Sequence, residues 1–164
     1  MPFTPFHLGP GLLVGLLLIR YVDFPTFLIA NVIVDVEPLL VLILNLPYPL
    51  HGFFHSFLGG TLVALLLTAL MSRTRKSLSP WLLVFKIKQT YSFKKIFLAS
   101  LSGIYLHILL DSLMHSDIRP FYPLDLNPLL GISSVVGVYM LCIWSFIGGV
   151  ILYTIKLFLS QRKY

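Results

Sequence analysis

The chain carries five histidines and six acidic residues, and several of them recur at an interval suited to holding a cation. His51 and His55 are four apart, and His107, Asp111 and His115 repeat that interval twice. On an α-helix, residues four apart lie ~6 Å along the axis and about 40° around it. The spacing therefore predicts a histidine pair on one helix face and a His-Asp-His stripe on another. Asp35 and Glu37 precede Pro38 inside an apolar stretch. A carboxylate beside such a helix break is expensive in an apolar setting unless it has a partner. Imidazole mixed with carboxylate suits Zn²⁺, and also Mn²⁺ or Fe²⁺, better than Ca²⁺, which takes oxygen ligands.

The expected metal ligands are His7, Asp35, His51, His55, His107 and Asp111. Glu37 or His115 is the expected general base, although Glu37 also fits a ligand or an interfacial charge. His7 can close the site from the first helix or cap it as a surface residue. Arg119 can receive an anionic headgroup through its planar fork, or can serve the end of a helix. A lone histidine in a membrane span is more often a hydrogen-bonded packing residue. Number and spacing set this case apart. An isolated ion at the bilayer centre costs at least ~2.5–3.5 kcal/mol, and Arg20 and Arg119 cannot neutralise four or five such groups within the core. A bound cation can; protonated carboxylates or charged histidines are the other way out.

The elements that must position these residues are membrane helices. Of the 164 residues, 57% are hydrophobic and 11% charged, with a mean hydropathy of +0.92. A water-soluble domain carries about 25% charged residues. Apolar stretches run over about 8–19, 24–46, 52–71, 96–116 and 129–155, and ~20 such residues cross a hydrocarbon core as a helix. The reading is an all-α, polytopic bundle of 4–5 spans in a single membrane-embedded domain over 1–164, with the second span broken near Asp35 to Pro38. Residues 73–95 are expected to form a basic cytoplasmic or interfacial loop, and 117–128 an external loop. Residues 81–88 mix aromatics, aliphatics and lysines as an interfacial helix does.

The formal net charge of +6 does not point to nucleic acid. Seven basic residues (Arg73, Arg75, Lys76, Lys86, Lys88, Lys94, Lys95) lie in one inter-span segment, and Lys156, Arg162 and Lys163 at the C-terminus. That pattern fixes membrane orientation. It predicts a cytoplasmic C-terminus in a cell (inner or plasma) membrane, and places His7, His51, His55, His115, Asp117 and Asp125 toward the external ends of their segments. Cys142 is the sole cysteine, which excludes intrachain disulfides and thiolate zinc sites. No removable signal peptide is read at the N-terminus.

Other catalytic signatures are missing. His51-Gly52-Phe53-Phe54-His55 lacks the glutamate of a zincin, and there is no P-loop, G-x-G-x-x-G or G-x-S-x-G. The order His7, Asp35-Val36-Glu37-Pro38, His51-x3-His55-Ser56, and His107-x3-Asp111 followed by Arg119-Pro120-Phe121-Tyr122-Pro123 resembles the YdjM-like family over roughly residues 6–130. Members of that family are described as predicted inner-membrane metal-dependent hydrolases. Where its pattern usually has Pro-Asp-x-Asp and His-Arg, this chain has Asp35-Val36-Glu37-Pro38 and His51-Gly52. The resemblance implies metal-dependent hydrolysis of a phosphoester at a membrane surface; the depth of the expected site suggests a lipid-like substrate, with membrane lipid as the surrounding partner. A small transporter or a metal or proton conduit is the alternative, as is a non-catalytic subunit whose metal only clamps helices.

Overall fold

In lipid, backbone polar groups must be satisfied within the chain, so apolar runs of this length fold as helices. The computed structural model describes residues 5–87 and 89–161, and all regular elements there are helical. Lys88, Arg162 and Lys163 lie outside the described residues. A 3₁₀ turn, Pro5–His7, leads into α1 (Leu8–Leu17), whose 10 residues rise about 15 Å, half a hydrocarbon core. Four longer stretches are apolar enough to cross a membrane: Phe24–Ile43, Phe57–Val84, Phe93–Ser112 and Val135–Leu159. The first of these holds α2 (Phe24–Ala30) and α3 (Val36–Ile43); the others are α4 (Phe57–Val84), α5 (Phe93–Ser112) and α6 (Val135–Gln161).

The break in the second span lies one turn earlier than proline chemistry predicts. α2 ends at Ala30, a 3₁₀ turn occupies Ile33–Asp35, and α3 starts at Val36. Pro38 falls in the first turn of α3, where backbone N–H groups have no intrahelical acceptor and none is lost. The 73–95 segment is also not a loop throughout. α4 continues as helix to Val84 before the chain turns, and α5 begins at Phe93 with Ser92 as its N-cap.

The two ends of the bundle differ in chemistry. At the basic end, Asp23 caps α2 and pairs with Arg75 of α4 at 2.7 Å, both fully buried. Gln89 closes that end by bonding the backbone of Phe24, Ile19 and Val22. At the opposite end, α3, α5 and the segments 45–56 and 113–134 meet.

Between the ends, α2 and α4 pack on α5, and α1 packs on α6. Ala30, Val34, Ala64, Leu67, Ile104 and Ile108 fill the core. The α2–α5 approach is close enough that a Cβ on Gly103 would lie 2.6 Å from Ala30 Cβ and 3.0 Å from the Phe27 carbonyl oxygen. Large apolar side chains such as Leu62, Leu66, Trp144 and Phe158 face outward, as a lipid-facing surface requires.

Candidate metal centre

Four residues from three elements converge at the acidic end. Asp35 closes the 3₁₀ turn that interrupts the second span, His55 ends a 3₁₀ turn (Phe53–His55), and His107 and Asp111 sit one turn apart on α5. One ligand atom from each lies within 4.8 Å of every other, so the group can hold a metal ion. His55 and His107 are 0% exposed, and Asp35 and Asp111 are 2% exposed.

The imidazole nitrogens are assigned by their partners. His107 Nδ1 lies 2.8 Å from the Asn31 carbonyl oxygen. A carbonyl only accepts, so Nδ1 carries the hydrogen and donates. His55 Nδ1 donates in the same way to Glu37 Oε2 at 2.8 Å. Each Nε2 is thereby turned toward carboxylate: His107 Nε2 is 3.1 Å from Asp111 Oδ2 and 3.4 Å from Asp35 Oδ1, and His55 Nε2 is 3.9 Å from Asp35 Oδ1. Neither Nε2 makes a hydrogen bond among the described residues, and neither do Asp35 Oδ2 and Asp111 Oδ1. Unsatisfied buried polar atoms are rare in folded proteins. Several in one place, all able to donate electron pairs, fit a divalent cation.

The remaining expected residues divide around this group. His7, 1% exposed, sets Nε2 2.9 Å from Asp111 Oδ1 and stacks its ring on His107 at 4.2 Å. His7 sits in the 3₁₀ turn that precedes α1 and is buried in the bundle rather than placed at a surface. Glu37 does more than approach His55: its carboxylate also accepts from the backbone N–H of Gly52 and Phe54 at 3.2 Å each. That ties α3 to the turn carrying His55.

The helical-face expectation for His51 and His55 is corrected, because neither lies on an α-helix. His51 is in a bend and His55 in the 3₁₀ turn, yet their rings pack edge to face at 4.8 Å. Nor does the His-Asp-His stripe run to its third member. α5 ends at Ser112, which leaves His115 outside the helix and turns it onto His51 with ring centroids 4.3 Å apart.

His51 and His115 form a second group with Asp117, again with one ligand atom each within 4.8 Å. His51 Nδ1 is 3.0 Å from both carboxylate oxygens of Asp117, which also accepts from the His51 backbone N–H. Burial, together with neighbouring His55, holds His51 below the ordinary imidazole pKa against the pull of Asp117. Burial and neighbouring His51 do the same to His115. Burial raises the Asp117 pKa, but the His51 ring outweighs it and holds the carboxyl below its ordinary value. Arg119 lies on the rim, paired with Asp125 at 2.8 Å and 57% exposed. With His51, Gly52, Asp117 and Tyr122 it lines a cleft of about 320 Å³.

Two contributors escape a reading of residue types. Asn31 acts through its backbone carbonyl, and sequence does not tell which carbonyl faces a ring. Asp117 stands in a loop, where spacing has no fixed geometry.

A family profile described as YdjM inner membrane protein matches residues 1–162 of the chain. No curated protein and no solved structure matches it.

Proposed function

Because the chain belongs to the YdjM inner membrane protein family, we propose that it is a membrane-embedded, metal-dependent hydrolase whose cation is held by Asp35, His55, His107 and Asp111. The substrate class is a lipid-like molecule or phosphoester reaching the site from the membrane surface, and Zn²⁺ is the first choice of ion. When bound, such an ion lowers the pKa of a coordinated water toward ~7 and polarises the scissile group.

One observation carries the reading. The Nδ1 hydrogens of His55 and His107 are committed to acceptors, while both Nε2 atoms face carboxylates without hydrogen-bond geometry. An imidazolium would need an in-line N–H···O at that position; a cation between the four donors does not. No lysine or arginine pairs with these carboxylates among the described residues. His7 and Glu37 hold Asp111 and His55 in orientation, a role that tightens metal sites generally. Arg119 and the cleft beside it would receive the anionic part of the substrate. The basic segment at the far end supports a site facing the outside, with a cytoplasmic C-terminus.

A non-catalytic clamp is the second reading, favoured by the near-complete burial of the four ligands. Conduction is less supported, since a buried ion pair, Asp23 and Arg75, plugs the basic end. Elemental analysis of detergent-purified protein should find bound divalent metal, and His107→Ala should lose the ion held by Asp35, His55 and Asp111 while keeping its helical circular dichroism. Unchanged metal content in that variant would sink the proposal. Hydrolysis of phosphoester lipids that is abolished by chelation and restored by Zn²⁺ separates the enzyme from the clamp.

A further inference from the structure

The four inner ligands are closed to solvent, and a hydrolase needs a place where substrate meets its reactive water. The group formed by His51, His115 and Asp117 supplies one. We infer that these three residues hold a second divalent cation beside the inner one, so that the centre carries two ions and the outer ion faces the cleft. The inference rests on the inner-centre reading for its chemistry, though not for its ligands.

Three observations support it. The donors come from two stretches of chain, one carrying His51 and the other His115 and Asp117, that the fold brings within 4.8 Å of one another. They are also fixed in place: Asp117 bonds the His51 backbone, and Asn127 Nδ2 donates to the carbonyls of Ser112 and His115. Two imidazoles and one carboxylate, with a side open to the cleft, match the three-ligand form of catalytic zinc sites.

Position is the second observation. His51 stacks edge to face on His55 of the inner group, so the two ligand sets share a wall. His51 and Asp117 line the cleft, with Asp117 half-exposed.

Charge is the third. Asp35, Glu37, Asp111 and Asp117 each contact a histidine of the two groups. These four carboxylates match the charge of two divalent ions, and no lysine or arginine pairs with any of them among the described residues. Two ions in adjoining sites can also steady both the attacking and the leaving oxygen of a displacement.

The test is metal stoichiometry by mass spectrometry of the purified full chain loaded with Mn²⁺, together with low-temperature electron paramagnetic resonance. Wild type should hold two ions per chain with an exchange-coupled spectrum. His115→Gln and Asp117→Asn should each hold one, with the isolated-ion signal, and Asp35→Asn should lose the inner ion. A wild type with one ion that survives in His115→Gln and Asp117→Asn but not in Asp35→Asn overturns the outer site and leaves the inner reading standing. One ion lost in His115→Gln and kept in Asp35→Asn supports the outer site and removes the inner one. Two ions retained in both outer variants, or no ion in wild type, overturns the inference. Should the variants misfold, the wild-type spectrum decides, since an isolated-ion signal alone counts against a second, neighbouring ion.

Discussion

A histidine becomes a metal ligand through the partner of its other nitrogen. Asn31 and Glu37 take the Nδ1 hydrogens of His107 and His55, which fixes each tautomer and turns the Nε2 lone pair inward. Removing such a partner typically costs 10–100-fold in metal affinity. Glu37→Ala is expected to weaken the inner ion by about that factor, measured by competition with a chromophoric chelator, and to leave the ion count at saturating metal unchanged. Complete loss of the ion would instead make Glu37 a ligand. An unaltered affinity would return it to the status of an interfacial charge.

Residue types and spacing nominated Asp35, His55, His107 and Asp111 in one set with His7 and His51, and the local geometry behind that nomination was wrong in part. His107 and Asp111 do lie one turn apart on α5. His51 and His55 are neighbours for another reason, because Glu37 gathers the backbone of their turn. A four-residue interval has meaning only on a helix, and the chain from His51 to His55 is a bend followed by a 3₁₀ turn.

At the scale of elements, the inner centre depends on the approach of α2 to α5. Gly103 lets Ala30 and the Phe27 carbonyl come close enough for the Asn31 carbonyl to reach His107. Gly103→Val would force a side chain into backbone and Ala30, and such overpacking costs about 1–3 kcal/mol. The expected outcome is a lower melting temperature in detergent together with weakened metal binding. Gly148→Ala is the control: its new Cβ would meet Leu13 at 3.7 Å, an ordinary contact. A Gly103→Val protein with full metal affinity would show that the helix approach does not set the site.

The break in the second span belongs to the same scale. Pro38 signals irregularity nearby, yet a proline in the first turn of a helix disturbs nothing. The interruption at 31–35 instead exposes the Asn31 carbonyl to His107 and brings Asp35 between His55 and His107. Irregular backbone at membrane depth is tolerated where protein surrounds it, and α5 and the α4 entry supply that cover.

For the whole molecule, the question is which way the two ends face. The basic residues gather at the end opposite the ligand groups, and positive residues favour the cytoplasm. Cys142 is buried, which leaves a quiet background for added cysteines. Leu124→Cys, at an exposed position near the cleft, should react with a membrane-impermeant maleimide applied outside sealed right-side-out vesicles. Phe85→Cys, exposed at the basic end, should react only after detergent is added. The reverse pattern would turn the centre toward the cytoplasm and reassign the substrate to that side.

Sequence by itself determined the solvent and the material of the site. Apolar runs of ~20 residues leave a helix bundle in lipid as the solution for their backbone, and histidines with carboxylates in those runs demand a counter-charge. Tertiary structure alone decided which of them lie close enough to hold an ion together. It gathered Asp35, His55, His107 and Asp111 in one group, set His51 and His115 beside Asp117 in another, and buried His7 at the start of a short α1. The physical reason is that helix periodicity fixes neighbours only within one helix. Contacts between helices depend on where each breaks, caps and packs, and backbone carbonyls such as that of Asn31 leave no mark in a list of side chains.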